Sequence, residues 1–162
     1  MDIVYSKKRK SICFEDAVSA LLCLGVTDLR LSVLLYSILK TDFQCRSVIT
    51  NKWYYKCNKG KWHYDTENIK LRSAITEELC PRLVEEIHEY TQILNYIRKN
   101  TKDFDVVRKK MDKIAKMLIW LEEDKNKNKV IRASRDIFYK QMHPLFKKSR
   151  LNPIYCLTKN NN

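Results

Sequence analysis

A chain of 162 residues, 44% hydrophobic and 31% charged with only 2 Gly and 3 Pro, is sized and composed for one folded, helix-rich domain and excludes a low-complexity or wholly disordered polypeptide. The most apolar stretch, from Ala17 to Ile38, is broken by Gly25, Asp28 and Arg30 and falls short of the roughly 20 apolar residues of a membrane span. The formal net charge of +13 points to polyanionic partners, and the cluster Lys7-Lys8-Arg9-Lys10 has no apolar block and cleavage site behind it, so an intracellular, reducing setting is expected.

The charge is uneven. It is +6 over residues 1–64, −4 over 65–97, +10 over 98–150 and +1 over the remainder. The later helical region is therefore the basic one, and phosphate backbones would be drawn to it with strong salt dependence.

In chain order, Phe14, Val18, Leu21 and Leu22 recur at helical spacing, and Gly25 stands where a C-terminal cap belongs. Thr27 and Asp28 offer N-cap oxygens to a second helix carrying Leu29, Val33, Leu34 and Ile38. The pattern then turns β-branched and aromatic. Residues 45–50 read as one strand and residues 53–57 as the next; Asn58-Lys59-Gly60 supplies a turn before Trp62-His63-Tyr64 returns. A hairpin, or a three-stranded meander, is expected. Because side chains alternate across a strand, Trp53 and Tyr55 should pack on the helices while Tyr54 and Lys56 face out.

Asp65, Thr66 and Glu67 are capping residues for a helix whose stripe runs Leu71, Ile75, Leu79, Leu83, Ile87, Tyr90, Leu94 and Ile97. Pro81 predicts a kink or two abutting helices. Phe104, Val107, Met111, Ile114, Leu118 and Leu121 form the seam of the next helix. The polar run 124–129 reads as a linker, followed by a last helix through Val130, Ile131, Ile137, Phe138, Met142 and Leu145 that ends near His143-Pro144. The fold class is α+β, predominantly α-helical: a helical bundle with one aromatic β-hairpin, for which a winged-helix-like start is one arrangement. Residues 1–26 read as a basic segment with a short helix, 27–155 as the helix, hairpin and bundle domain, and 156–162 as a disordered tail.

Enzymatic chemistry has little to stand on. Gly25 and Gly60 are the only glycines, so a phosphate-binding P-loop, a dinucleotide fingerprint and a nucleophile elbow cannot be built. The cysteines at 13, 23, 45, 57, 80 and 156 form no C-x-x-C pair, and Cys57 with His63 makes at most half a zinc site. Asp103-Phe104-Asp105 has the spacing of a metal-binding carboxylate pair but sits at a helix start, where acids complement the dipole. No cofactor, no metal and no catalytic residue is expected.

Binding is the better-supported expectation. Lys109, Lys113 and Lys116, with Lys102, recur opposite the apolar seam, and Arg132, Arg135 and Tyr139 follow on the last helix. Lys56, Lys59 and Lys61 surround the aromatic hairpin tip. Cations interleaved with aromatics suit a nucleic-acid strand, so all of these but Lys102, nine residues, are the expected DNA contacts, with the cations near the C-terminal end gathered on one surface. The alternative is a protein-interaction adaptor whose carboxylates Glu77, Glu78, Glu85, Glu86 and Glu89 dock a basic partner.

The segments Asp28-Leu29-Arg30, Leu35-Tyr36, Asp42-Phe43-Gln44-Cys45, Trp53-Tyr54-Tyr55-Lys56, Gly60-Lys61-Trp62 and Leu71-Arg72-Ser73-Ala74-Ile75 together resemble the helicase-associated region of poxvirus-type primase-helicases, with phage and plasmid relatives. The likeness covers residues 28–80, with a later echo at Leu145-Phe146 and Leu151-Asn152-Pro153. It implies a non-catalytic accessory role in viral or mobile-element DNA replication, in a host cytoplasm or viral replication compartment. The partners it implies are DNA and a superfamily 3 helicase or primase subunit, and no membrane. Neither a primase domain nor an ATPase is present in the chain, which reads as a stand-alone relative, a split-gene product or a remnant.

Overall fold

The computed structural model describes residues 13–99 and 101–142. The Lys7 to Lys10 cluster, the end of the last helix near His143-Pro144, the echo segments and the tail lie outside them.

Helix α1 (Phe14–Leu24) opens at Cys13, whose Sγ accepts from the Asp16 amide, and closes at Gly25 with φ +95, whose N–H donates to Leu21 O. The positive φ is what glycine permits without a Cβ penalty. Helix α2 (Asp28–Leu39) starts at Thr27, whose hydroxyl accepts from the Arg30 amide at 3.2 Å. Arg30 also serves the preceding helix: its buried Nη1 donates to Leu24 O at 2.6 Å and Gly25 O at 2.9 Å, neutralising carbonyls at the α1 terminus. The stripe expected on α2 understates its role. Leu31, Val33, Leu34, Leu35 and Leu39 are all buried, so α2 is the central helix, enclosed on nearly all sides.

A three-stranded antiparallel sheet follows, β1 (Phe43–Ser47), β2 (Lys52–Lys56) and β3 (Trp62–Tyr64), in the order β1-β2-β3. Tyr55 lies opposite Phe43 and His63, and Tyr54 opposite Gln44 and Tyr64, with the register slipping between Cys45 and Ser47. Phe43, Cys45 and Trp53 are buried on one face, and Tyr55 packs against the core. On the other face the Arg46 guanidinium lies 4.0 Å from the Tyr54 ring centroid, and Tyr54 meets Tyr64 edge-on. The first strand is shorter than residues 45–50. Val48, Ile49 and Thr50 form a turn held by the Ser47 hydroxyl, which accepts from both the amide and the hydroxyl of Thr50, and Asn51 completes it with φ +51.

After a 3-10 turn (Thr66–Asn68) the chain continues as α3 (Ile69–Ala74), a π-helical turn (Ile75–Leu79) and α4 (Cys80–Tyr96). The wide turn explains how Pro81 is carried without a break. A proline has no N–H for the carbonyl four residues back and its ring crowds that carbonyl, and lengthening the preceding turn relieves both problems. Helix α5 (Lys102–Leu121), capped by the Thr101 hydroxyl and with Asp103 and Asp105 in its first turn, packs along α4.

Residues 124–129 are not a linker: they are the opening turns of α6 (Asp124–Met142). The polar side chains there are structural. Asn126 is buried with Nδ2 donating to Trp120 O at 2.9 Å, and Lys127 pairs with Asp124 at 3.1 Å. Helix α6 lies across α2 and β1, where Phe138 is fully buried. One hydrophobic cluster includes residues of every helix and of the sheet.

Among the described cysteines, Cys13 and Cys23 are exposed and Cys45 is fully buried, with burial pushing its thiol from 9.0 up to about 11. A thiol-reactive dye added to native protein should label Cys13 and Cys23 and reach Cys45 only on unfolding. The sign for stability follows. Between pH 9 and 11 the unfolded chain ionises this thiol while the folded chain keeps its proton, so the stabilisation present below pH 9 is lost as pH rises through that window. A Cys45→Ala chain should lack this part of the alkaline decline in a melting series.

Candidate nucleic-acid interface

The expected contact residues come from three elements, the β2–β3 turn, α5 and α6. Lys56, Lys59 and Lys61 are exposed at the β2–β3 turn, where Cys57 N donates to Lys61 O and Gly60 takes φ +74. Lys109, Lys113 and Lys116 are exposed on α5, and the latter two border a groove against the α1–α2 junction. Arg132 and Arg135 lie on α6 beside the β1–β2 turn and the 3-10 turn.

Three of the nine have structural duties. Arg135 is half-buried, its Nη1 donating to Val48 O and its Nε to Arg132 O, both at 2.9 Å, so it pins the β1–β2 turn to α6. Tyr139 is half-buried against the core and does not stand outward as a free stacking ring. Lys113 does both: its ammonium donates to Leu22 O at 2.9 Å, complementing the C-terminal end of α1, while its stem borders the groove.

That groove encloses about 410 Å³, within the usual range for small organic groups. Its floor is apolar, from Val26, Leu31, Met117 and Trp120; Lys113 and Lys116 stand on one rim and Thr27 and Asp28 on the other. Trp120 is half-buried, and the Lys129 ammonium sits 5.7 Å from its ring centroid. A flat apolar ring beside cations is the local chemistry that receives an unstacked base and its phosphate.

The second recess is chemically opposite. About 170 Å³ is lined by Asn51, Glu67, Asn68, Arg72, Asn128 and Arg132, all of them polar or charged. Arg72 is anchored: Nη1 donates to Glu67 O at 2.8 Å and to Asn128 Oδ1 at 3.4 Å, and Nε lies 4.0 Å from Asp124. The Arg132 guanidinium is exposed and has no hydrogen-bond or ion-pair partner among the described residues. Lys129 and Arg132 lie one turn apart on the exposed side of α6, so the groove at Trp120 and the recess at Arg72 are joined by a cationic stripe.

Among the described residues the ion pairs are Arg72–Asp124, Lys125–Glu123 and Lys127–Asp124, which leaves Lys109, Lys113, Lys116, Lys129 and Arg132 without a carboxylate within 4.0 Å. The opposite sign collects elsewhere. The Glu86 carboxyl is raised by burial and by the nearby Glu89 and Glu15, and Glu78 is raised by burial and by Asp42. No three described His, Cys, Asp or Glu side chains form a metal-sized cluster, and no described helix is long and apolar enough to cross a membrane.

Trp120, Lys129 and the three asparagines were not read from the sequence as binding residues, and Arg72 entered only within the segment Leu71-Arg72-Ser73-Ala74-Ile75. A signal existed for two of them, because Asn is enriched at left-handed positions and Asn51 and Asn68 both fall in turn-like surroundings. Comparison with known families, curated proteins and solved structures gives no match to this chain.

Proposed function

We propose that the chain is a non-catalytic, DNA-binding accessory module of a replication apparatus, which holds single-stranded nucleic acid in the groove between α5 and the α1–α2 junction. The observation that carries this reading is the placement of Lys113 and Lys116 around an apolar floor that ends at Trp120, with no carboxylate of the described residues within 4.0 Å of either ammonium. The exposed cations of the β2–β3 turn add to the attraction. The replication setting rests on the likeness of residues 28–80 to the helicase-associated region of primase-helicases.

Fluorescence titration with an oligothymidylate across a salt series tests it. The affinity should fall linearly with salt on logarithmic axes, by about 0.7 in slope for each phosphate neutralised, and K113Q/K116Q should flatten that slope by about 1.4. Trp120→Ala should weaken binding by about 1–3 kcal/mol, the worth of one stacked base. Undetectable binding at low salt would overturn the reading.

A second reading is favoured by the crowding of Glu86 with Glu89 and Glu15, which a basic partner protein would relieve. In that case the adaptor surface is α4, and capture of a replication protein would survive nuclease treatment and be lost in E86Q/E89Q.

A further inference from the structure

Three described residues other than glycine have positive φ: Asn51 at 51°, Glu67 at 54° and Asn68 at 58°. All three line the same recess, the one between Arg72 and Arg132. They come from two separate turns, so the coincidence is not one of sequence proximity alone. A left-handed backbone is unfavourable for most residues with a Cβ, less so for Asn than for Glu, and at Glu67 it is held only where surrounding structure enforces it. Here the enforcement is visible. Asn51 Oδ1 accepts from the buried Trp53 indole at 2.9 Å, Arg72 Nη1 donates to Glu67 O within the 3-10 turn at 2.8 Å, and the Asp65 carboxylate accepts from the Lys70 and Leu71 amides just beyond it.

The charged side chains lining the recess are two guanidiniums, Arg72 and Arg132, and one carboxylate, Glu67. Two guanidiniums line a space of about 170 Å³, and Glu67 approaches neither within ion-pairing distance among the described contacts. Asp124, 4.0 Å from Arg72 and well exposed, offsets little of this. Like charges facing one small polar space are stabilised by an anion placed between them, and the planar fork of arginine matches phosphate oxygens in pairs. The space is below the roughly 300–1,000 Å³ of a cofactor or drug-sized pocket, so it suits one phosphoryl group and not a base or a dinucleotide.

We propose that the recess between Arg72 and Arg132 is a binding site for a terminal phosphate, that is, a phosphate monoester. A monoester near neutral pH has a charge of about −1.5 to −2, which two guanidiniums match, whereas an internal diester brings only one. The carboxamides of Asn68 and Asn128 supply further donors at the rim. The monoester has two available sources, the phosphorylated end of a nucleic-acid strand lying along the Lys129–Arg132 stripe, or a free mononucleotide. The first deepens the single-strand reading above and rests on it; the second does not.

The experiment compares 5′-phosphorylated and unphosphorylated oligothymidylate of about ten nucleotides, thymidine monophosphate and inorganic phosphate on four chains: wild type, R132Q, R72Q and K113Q/K116Q. Wild type should prefer the phosphorylated strand by about tenfold, a preference that fades as pH falls through about 6, where the second phosphate proton returns. R132Q, whose exposed side chain can change without disturbing the fold, should lose the preference but keep most of its affinity for the unphosphorylated strand. K113Q/K116Q should bind both strands less and keep the ratio. A wild-type ratio near one with strand binding intact overturns the terminal-phosphate site and leaves the groove reading standing. Thymidine monophosphate or inorganic phosphate binding that needs Arg132, with no strand bound at low salt, supports the site and overturns the single-strand reading. R72Q should behave as R132Q if folded by circular dichroism, and R132Q carries the test if it is not.

Discussion

Phe138→Ala is expected to destabilise the protein by about 3–5 kcal/mol, the usual cost of removing a fully buried aromatic ring from a core that cannot close over the space. The ring is fully buried and joins three elements. Its centroid lies 5.1 Å from Tyr36 on α2, at an interplanar angle of 83°, and 5.1 Å from Trp53 on β2, at 68°. Both are edge-to-face contacts, each worth about 0.5–1.5 kcal/mol beyond area burial. Because a domain of this size is stable by only about 5–15 kcal/mol, the change should consume a large share of the total and lower the denaturation midpoint in urea markedly. Phe138→Leu keeps most of the volume and removes only the ring pairs, so it should lose about 1–3 kcal/mol. A loss below about 1 kcal/mol for the alanine variant would mean that α6 does not close the core over α2 and the sheet.

That same helix shows why some of the fold could be read in the sequence and some could not. Its apolar positions Val130, Ile131 and Phe138 are visible as a periodic stripe, as are the buried residues Leu71, Ile75, Leu79 and Leu83 of the segment through the π-helical turn. The Thr27 cap is equally legible, since its hydroxyl accepts from the amide three residues on, a strictly local device. The run 124–129 failed as a linker because periodicity is blind to polar residues with tertiary partners. Asn126 is polar and buried at once, satisfied in part by Trp120 O. Residues 48–50 failed as strand for the converse reason: their β-branched propensity yields to the Ser47 and Thr50 hydrogen bonds and to the Arg135 clamp on Val48 O, the last reaching across 87 positions of sequence.

The interface was legible in kind and not in arrangement. Exposure of Lys56, Lys59, Lys61, Lys109, Lys116 and Arg132 follows from strand and helix periodicity. Whether a long cation is free is a tertiary matter, as Arg135 and Lys113 show by donating to distant carbonyls. The recess was invisible because its lining comes from four segments and depends on the sign of φ at three residues, which no spacing rule records.

Asp65→Ala should cost about 2–3 kcal/mol and also abolish any preference for a phosphorylated strand. Asp65 is buried, and its two carboxylate oxygens accept from Lys70 N and Leu71 N, each at 2.9 Å. Hydrogen bonds to an ionised group are worth about 1.5–3 kcal/mol, and alanine would leave the buried Leu71 amide without its acceptor. The carboxylate thus caps α3 from five residues upstream, which allows the chain to pass through the left-handed residues Glu67 and Asn68 before the helix begins. Without that anchor the 3-10 turn has no reason to hold its strained backbone, and the Glu67 carbonyl that orients Arg72 moves with it. Asp65→Asn retains one acceptor oxygen and should recover about half of the stability. The two readouts separate cause from consequence: urea midpoints report the cap, and the ratio of phosphorylated to unphosphorylated strand affinity reports the recess. If Asp65→Ala loses stability yet keeps the ratio, the left-handed turn holds itself and Asp65 is a helix cap alone.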